Sequence, residues 1–288
     1  MAKYKEYGYD IQDGKAIIPE WETEIKEGAF VVCKELTRVE LPQWIKKIGK
    51  EAFYGCENLT DITLPEWVEE IGDAAFSGCS SLTNITIPPS VTEIGVGAFW
   101  RCSSLTSIVI PPSVTKIAKD AFSGCSSLTS ISIPPSVTEI GADAFWSCSS
   151  LKSITVSKDN KVHDSREDCN AIIHTESNTL IRGCMNTIIP PSVTEIGGEA
   201  FRDCSSLTSI SIPPSVTKIG GSVFYGCSSL TNISIPPSVT KIVGSPFLGC
   251  KSLTSISIPP IGDGDWGRGF LGLQEPHEHL HTPIGDGD

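Results

Sequence analysis

The chain is short of the residues that do chemistry. Only five of its 288 residues are histidine, and three of those, His277, His279 and His281, crowd together near the end. That leaves His163 and His174 for the rest, and no nucleophile, base and acid recur in the grouping a catalytic site needs. The expectation is a non-enzymatic protein without metal or cofactor. Aromatic residues make up 7% of the sequence, too few for a large globular core. Lysine and arginine number 22 against 34 acids, and a net charge of −12 leaves no basic stripe for nucleic acid. No segment approaches the ~18 uninterrupted apolar residues of a membrane-spanning helix. The opening, MAKYKEYGYDIQDGKAIIP, carries no apolar export segment, which leaves an intracellular location open.

What is abundant is repetition. Cysteine returns every 23 residues at Cys33, Cys56, Cys79, Cys102, Cys125 and Cys148, and again at Cys204, Cys227 and Cys250. A fixed period in this range predicts stacked supersecondary units, each covered only by its neighbours. Within one unit, Leu128, Ile131 and Ile133 fall on one face of a short strand, and Pro134–Pro135 ends it. Val137 and Ile140 point inward again as a second short strand, Gly141 bends the chain, and Ala144, Phe145 and Cys148 fill the corner as a 3₁₀ or single helical turn. Strand positions of the first kind recur from Ile17–Ile18 to Ile256–Ile258 and predict eleven rungs of one sheet. The nine ladder cysteines point the same way, which disfavours disulfides and tetrahedral zinc and favours small buried thiols. Lys47, Glu70, Glu93, Lys116 and Glu139 occupy one position on successive rungs and predict exposed ion pairs.

The pattern LTxIxIPxSVTxIGxxAFxxCxx, over about residues 17–260, resembles the BspA-like (Treponema pallidum-type) leucine-rich repeat. The resemblance implies a leucine-rich repeat solenoid with a parallel β-sheet on its concave side and short strands or 3₁₀ turns on its convex side. It also implies a surface or secreted adhesin that binds host matrix or cell-surface proteins. The alternative is an intracellular interaction module without export.

Residues 1–16 read as an N-terminal cap, and one rung departs from the rest. From Val156 to Ile189 the step is 33 residues, with the extra length inside SKDNKVHDSREDCNAIIHTESNTLIRGCMNT. Ala171–Ile173 and Thr179–Ile181, separated by HTESN, predict a β-hairpin standing off the solenoid within about residues 157–186. CNAIIHTESNTLIRGC resembles an island found in Bacteroides-type members of the family. Loops on one face of a repeat array often carry recognition, so His163, Asp164, Arg166, Glu167, His174, Glu176 and Asn178 are candidate partner contacts. Cys169 and Cys184 bracket the hairpin and pair in an oxidising compartment or stay free in a reducing one. The outward side of the first sheet reads Ser130, Ser132, Ser153, Thr155, Ser209 and Ser211. This hydroxyl ladder lacks aromatic anchors and fits either solubility or weak multivalent contact.

The repeat fails at residues 261–288. Shifting the reading frame by one nucleotide after Pro259–Pro260 recovers repeat-like sequence, so the tail reads as an out-of-frame repeat. This removes His277, His279 and His281 as metal ligands, and predicts a poorly capped end available for self-association.

Overall fold

The computed structural model describes residues 3–257 as two compact units, one of residues 3–151 and 156–160, the other of residues 152–155 and 161–257. The tail 261–288, with its frameshift and the self-association expected of it, lies outside the described residues.

In the first unit each 23-residue turn is a closed coil with an extended run on one side, a two-residue strand on the other, and a corner. One side begins with Lys15–Ile17, Arg38–Glu40 and Asp61–Thr63 in parallel register, Lys15 opposite Arg38 and Arg38 opposite Asp61. Asp10–Gln12 folds back antiparallel onto Lys15–Ile17 and ends this sheet. The other side is a sheet of six two-residue strands, from Glu24–Ile25 through Lys47–Ile48, Glu70–Ile71, Glu93–Ile94 and Lys116–Ile117 to Glu139–Ile140. In the second position of the first five strands the isoleucine is buried in the core, and Ile140 of the sixth is half-buried, while Lys or Glu turns out.

This reverses the expected weight of the two sides. The eleven-rung sheet of the LTxIxI runs is not continuous. Residues 85–87 and 108–110 share one bridge, Thr86 to Val109, and residues 187–189 and 210–212 form no strand. The run offers little backbone to pair. Pro-Pro follows it directly and has no N–H to give, so one missed bond ends a three-residue ladder. The step between turns is then held by threonines: Thr106 N–H and Oγ1 both donate to the Thr83 carbonyl, at 3.1 and 3.3 Å.

The corner carries a third ladder. Glu51, Phe53 and Gly55 donate their N–H groups forward to the carbonyls of Asp73, Ala75 and Ser77 at 2.7–2.8 Å. The short-strand side donates backward, Gly72 N–H to the Ile48 carbonyl at 2.9 Å. Glu51 and Gly55 hold φ of 55° and 67°, the left-handed turns that let alternate amides face the next coil. Bonds from a residue to the third before it, such as Cys56 N–H to the Phe53 carbonyl at 3.1 Å, make this corner a chain of tight turns rather than a helix.

Two columns run down the corner. Phe30, Phe53, Phe76, Phe99, Phe122 and Phe145 stack with ring centroids 5.3–5.6 Å apart. Tyr4, on the short helix Lys3–Glu6, and Tyr9 cover the exposed face of Phe30 at 5.7 Å each, so the N-terminal end is closed by aromatic surface. Beside the rings, each ladder thiol from Cys56 to Cys148 donates to a phenylalanine carbonyl of the preceding turn: Cys56 to Phe30 at 3.0 Å, Cys79 to Phe53 and Cys102 to Phe76 at 3.2 Å. The expected packing role of cysteine therefore comes with a hydrogen bond from a weak donor that is otherwise a small apolar group.

The second unit repeats these features. Glu195–Ile196, Lys218–Ile219 and Lys241–Ile242 are parallel neighbours, and Phe201, Phe224 and Phe247 stack at 5.5 and 5.7 Å. Lys218 pairs with Glu195 at 2.7 Å, as Lys47 pairs with Glu70 at 2.9 Å in the first unit. These pairs are exposed and worth at most about 1 kcal/mol each.

Candidate functional site: the hairpin turn

The long turn does hold a hairpin, of Ala171–His174 and Thr179–Gly183, antiparallel with a register shift between Ile172 and Ile173. It does not stand off the solenoid. Thr179 and Leu180 pair in parallel with Glu195 and Ile196, so the second strand occupies the place of the short strand of a regular turn. Ala171, Ile172, Ile173 and Leu180 are fully buried, and all but Ile172 belong to the core of the second unit. The alternation of a half-buried strand gives way to AII because the first strand is covered on both faces.

The short strand His163–Asp164 joins the hairpin edge, with His163 opposite His174 and Asp164 opposite Ile173. From there the structure draws three of the candidate residues into one network. Arg166 clasps Asp164 with two parallel bonds, Nε to Oδ1 at 2.7 Å and Nη2 to Oδ2 at 2.5 Å. Its Nη1 reaches Asn178 Oδ1 at 2.8 Å and Ser192 Oγ at 3.2 Å. Thr175 Oγ1 donates to Asp164 Oδ2 at 3.0 Å. Partial burial opposes ionisation of Asp164, but the bonds from Arg166 and Thr175 outweigh it and hold the carboxyl below its usual range. These residues lock a loop. Within it Glu167, Asp168 and Asn170 take φ of 59°, 50° and 54°, a cluster of left-handed positions without a glycine.

The remaining candidates divide by exposure. Glu167 and Glu176 are exposed, as are Asp168, Thr175 and Ser177, which makes the solvent side of this turn acidic and hydroxylated. His174 is partly exposed, its Nδ1 3.0 Å from Ser177 Oγ. His163 is 3% exposed, with its ring edge-on to His174 at 6.0 Å, so its side chain cannot meet a partner at the surface. Cys169 and Cys184 are unlinked buried thiols here. Cys184 lies 3.4 Å from the Asn170 carbonyl, and burial pushes Cys169 up to about 11. Ser130, Ser132, Thr155, Ser209 and Ser211 are exposed and Ser153 half-buried, as their outward placement implied. Val109 and Ile188, each 73% exposed, interrupt that hydroxyl surface.

Sequence reasoning missed Thr175 and Ser192, which complete the Arg166 network, and Arg182. Arg182 is 7% exposed, and its guanidinium donates to the carbonyls of Glu199 and Arg202 at 3.3 Å. Beside it, Gly183 takes the place of a column phenylalanine: a Cβ there would overlap the Phe201 ring. The signal was available in RGC, where every regular turn of the first unit reads AFxxC or a close variant. Among the described residues no group of His, Cys, Asp and Glu could hold a metal ion, and no helix is long and apolar enough to cross a membrane.

Comparison with known proteins agrees with this architecture. The model of the BspA type leucine rich repeat region matches in six copies over residues 12–125, 46–169 and 178–261. No curated protein matches the chain. Among solved structures, a leucine rich cell surface protein from Faecalibacterium prausnitzii is 29% identical, with a TM-score of 0.60 over 86% of this chain and 85% of its own. The pneumococcal vaccine antigen PcpA is 23% identical, with a TM-score of 0.67 over 81% of this chain and 67% of its own, and shares the fold. A leucine-rich repeat protein from Eubacterium ventriosum is 19% identical at a TM-score of 0.51, over 86% and 81% of the two chains. A β-solenoid of 23-residue turns, carrying this repeat over most of its length, belongs to the BspA-type leucine-rich repeat family of interaction scaffolds.

Proposed function

We propose that this chain is a non-enzymatic, adhesin-like repeat protein of the cell surface, and that its hairpin turn recognises host matrix or cell-surface proteins. The observation that carries the reading is the Asp164–Arg166 network. It spends a bidentate ion pair and three left-handed residues to fix an exposed acidic loop in an array whose other turns are nearly interchangeable. A loop ordered before binding loses less entropy on association. The surface location is supported by the likeness to the Faecalibacterium cell surface protein.

Deleting the hairpin would remove core residues of the second unit, so the test keeps the fold and alters the exposed face. The full chain is applied to immobilised fibronectin, laminin and collagen beside the double variant Glu167→Lys/Glu176→Lys. Saturable binding weakened about tenfold or more in the variant is the expected result. Equal binding by both proteins, or no binding to any matrix protein, would overturn the assignment. One observation favours a second reading, an intracellular interaction module. All eleven cysteines are unlinked, the state kept by a reducing compartment. Fractionation of source cells separates the two.

A further inference from the structure

Trp21, Trp44 and Trp67 follow one another at the 23-residue period, and they are 81%, 57% and 62% exposed. Every later regular turn has serine at this position, Ser90, Ser113, Ser136, Ser192, Ser215 and Ser238, and the long turn has Asp159. In three of these turns the serine has a structural task. Ser90, Ser113 and Ser238 donate their hydroxyls to carbonyls of the preceding turn, Glu66, Val91 and Val216, at 3.0, 2.7 and 2.8 Å. Tryptophan cannot make that bond, and it places a large apolar ring in water instead. Three such replacements in consecutive turns form an aromatic row, and exposed rows of this kind mark interaction surfaces.

The row has a pitch set by backbone pairing. Two residues further on, Lys46 N–H bonds the Thr23 carbonyl at 2.7 Å and Glu69 N–H bonds the Lys46 carbonyl at 2.8 Å. The indoles therefore spring from paired backbone with ~4.8 Å between turns, and Trp21 and Trp67 from positions ~9.6 Å apart. Charge is placed with the same spacing. Glu20 and Glu66, directly before the outer two tryptophans, are exposed and form no ion pair among the described residues, while Gln43 precedes the middle one. Nearby Glu22, Glu24, Glu69 and Glu70 are already engaged by Lys26, Lys46 and Lys47.

An extended polyproline II helix turns once in three residues and ~9.3 Å. We infer that Trp21, Trp44 and Trp67 form a docking row for a basic, proline-rich segment of a partner protein in this conformation. Proline rings lie against the indoles, and Lys or Arg at positions i and i+3 meet Glu20 and Glu66. Aromatic-lined grooves bind such helices because little order remains to be imposed on them. The two unpaired carboxylates favour this cationic ligand over a neutral sugar chain, which would also stack on tryptophan. The site is independent of the hairpin and of the matrix-binding reading.

The test is fluorescence anisotropy of a labelled peptide of four Lys-Pro-Pro repeats, titrated with the full chain. Saturable binding is expected, weakened about tenfold or more in Trp44→Ser and weakened again in Glu20→Lys/Glu66→Lys. Serine is the residue the repeat itself uses there, and an unchanged circular dichroism spectrum confirms that the variant is folded. A Lys-Gly-Ser peptide of equal charge should bind far more weakly, because it lacks the preformed helix. Equal binding of the two peptides, or equal binding by Trp44→Ser and the parent, would overturn the inference. Binding of a soluble β-glucan oligosaccharide without binding of the proline peptide would overturn it as well.

Discussion

The regular turns of the first unit and the hairpin turn of the second meet the same requirement in different ways. Both must fill a corner and offer backbone to the coil on either side. A regular turn does so by identity with its neighbours: phenylalanine lies on phenylalanine and thiol on carbonyl, each at a nearly constant distance. The hairpin turn has no phenylalanine to add to the column. It substitutes Gly183 under the Phe201 ring, sends Arg182 to two carbonyls, and brings in its own antiparallel strand. Identity gives stability that is shared along the stack, whereas substitution gives a turn with a shape of its own. The loop that no other turn possesses is found where identity has been given up.

The sharpest way to break this comparison is to damage the column. Phe99 is fully buried between Phe76 and Phe122. Phe99→Ala should cost about 3–5 kcal/mol, read as loss of hydrogen-exchange protection in the turns on both sides of it. Protection lost in its own turn alone would mean that the stacked rings do not act as one column. Gly183→Ala tests the substituted corner. Overlap with the Phe201 ring should destabilise the second unit by about 1–3 kcal/mol, while Gly78→Ala, at φ 74° but with no contact under 3.4 Å, measures the backbone cost alone. Gly183 is not left-handed itself, so stability equal to the parent's in Gly183→Ala would mean that the Phe201 ring yields to the added methyl without cost.

The smallest effect concerns the loop. Asp164→Asn removes a charge-assisted pair, with an expected cost of about 1 kcal/mol confined to amides of residues 163–183. The same pair predicts a pH dependence with a definite sign. Its folded carboxyl titrates below the unfolded one, so the contribution is complete above the unfolded value of about 3.9 and disappears as pH falls through the folded value. Protection factors in the loop, taken relative to the intrinsic rate at each pH, should therefore fall in acid before those of the Phe column do. Acid sensitivity retained in Asp164→Asn would place the titrating group elsewhere.

Much of the coil was legible in the sequence because inward isoleucines, leucine, phenylalanine and cysteine recur at positions that admit one placement. The relative strength of the two sides was not. The runs SISI and EI look like a strong strand and a weak one, yet the two-residue strands form the longer sheet. Inter-turn bonding depends on which amides lie beside a proline or a glycine, and side-chain periodicity does not report that. The hairpin was legible as two apolar runs around HTESN, but its burial was not, since alternation cannot reveal a strand covered on both faces. His163 shows the same gap: it stands among Lys161, Val162 and Asp164 in the sequence, and its burial follows from strand pairing with His174 that the sequence does not report.

The opposed ladders described above bear on how such a gene can change. A regular turn donates three amides forward from its corner and others backward from its short-strand side, always at fixed positions, so either side of it accepts any copy of itself. Gain or loss of one whole turn leaves every bond type intact, while gain or loss of a single residue misplaces all of them at once. Recombination between repeats is thus the mildest large mutation open to this array, and the hairpin turn is the fixed landmark against which its length can vary.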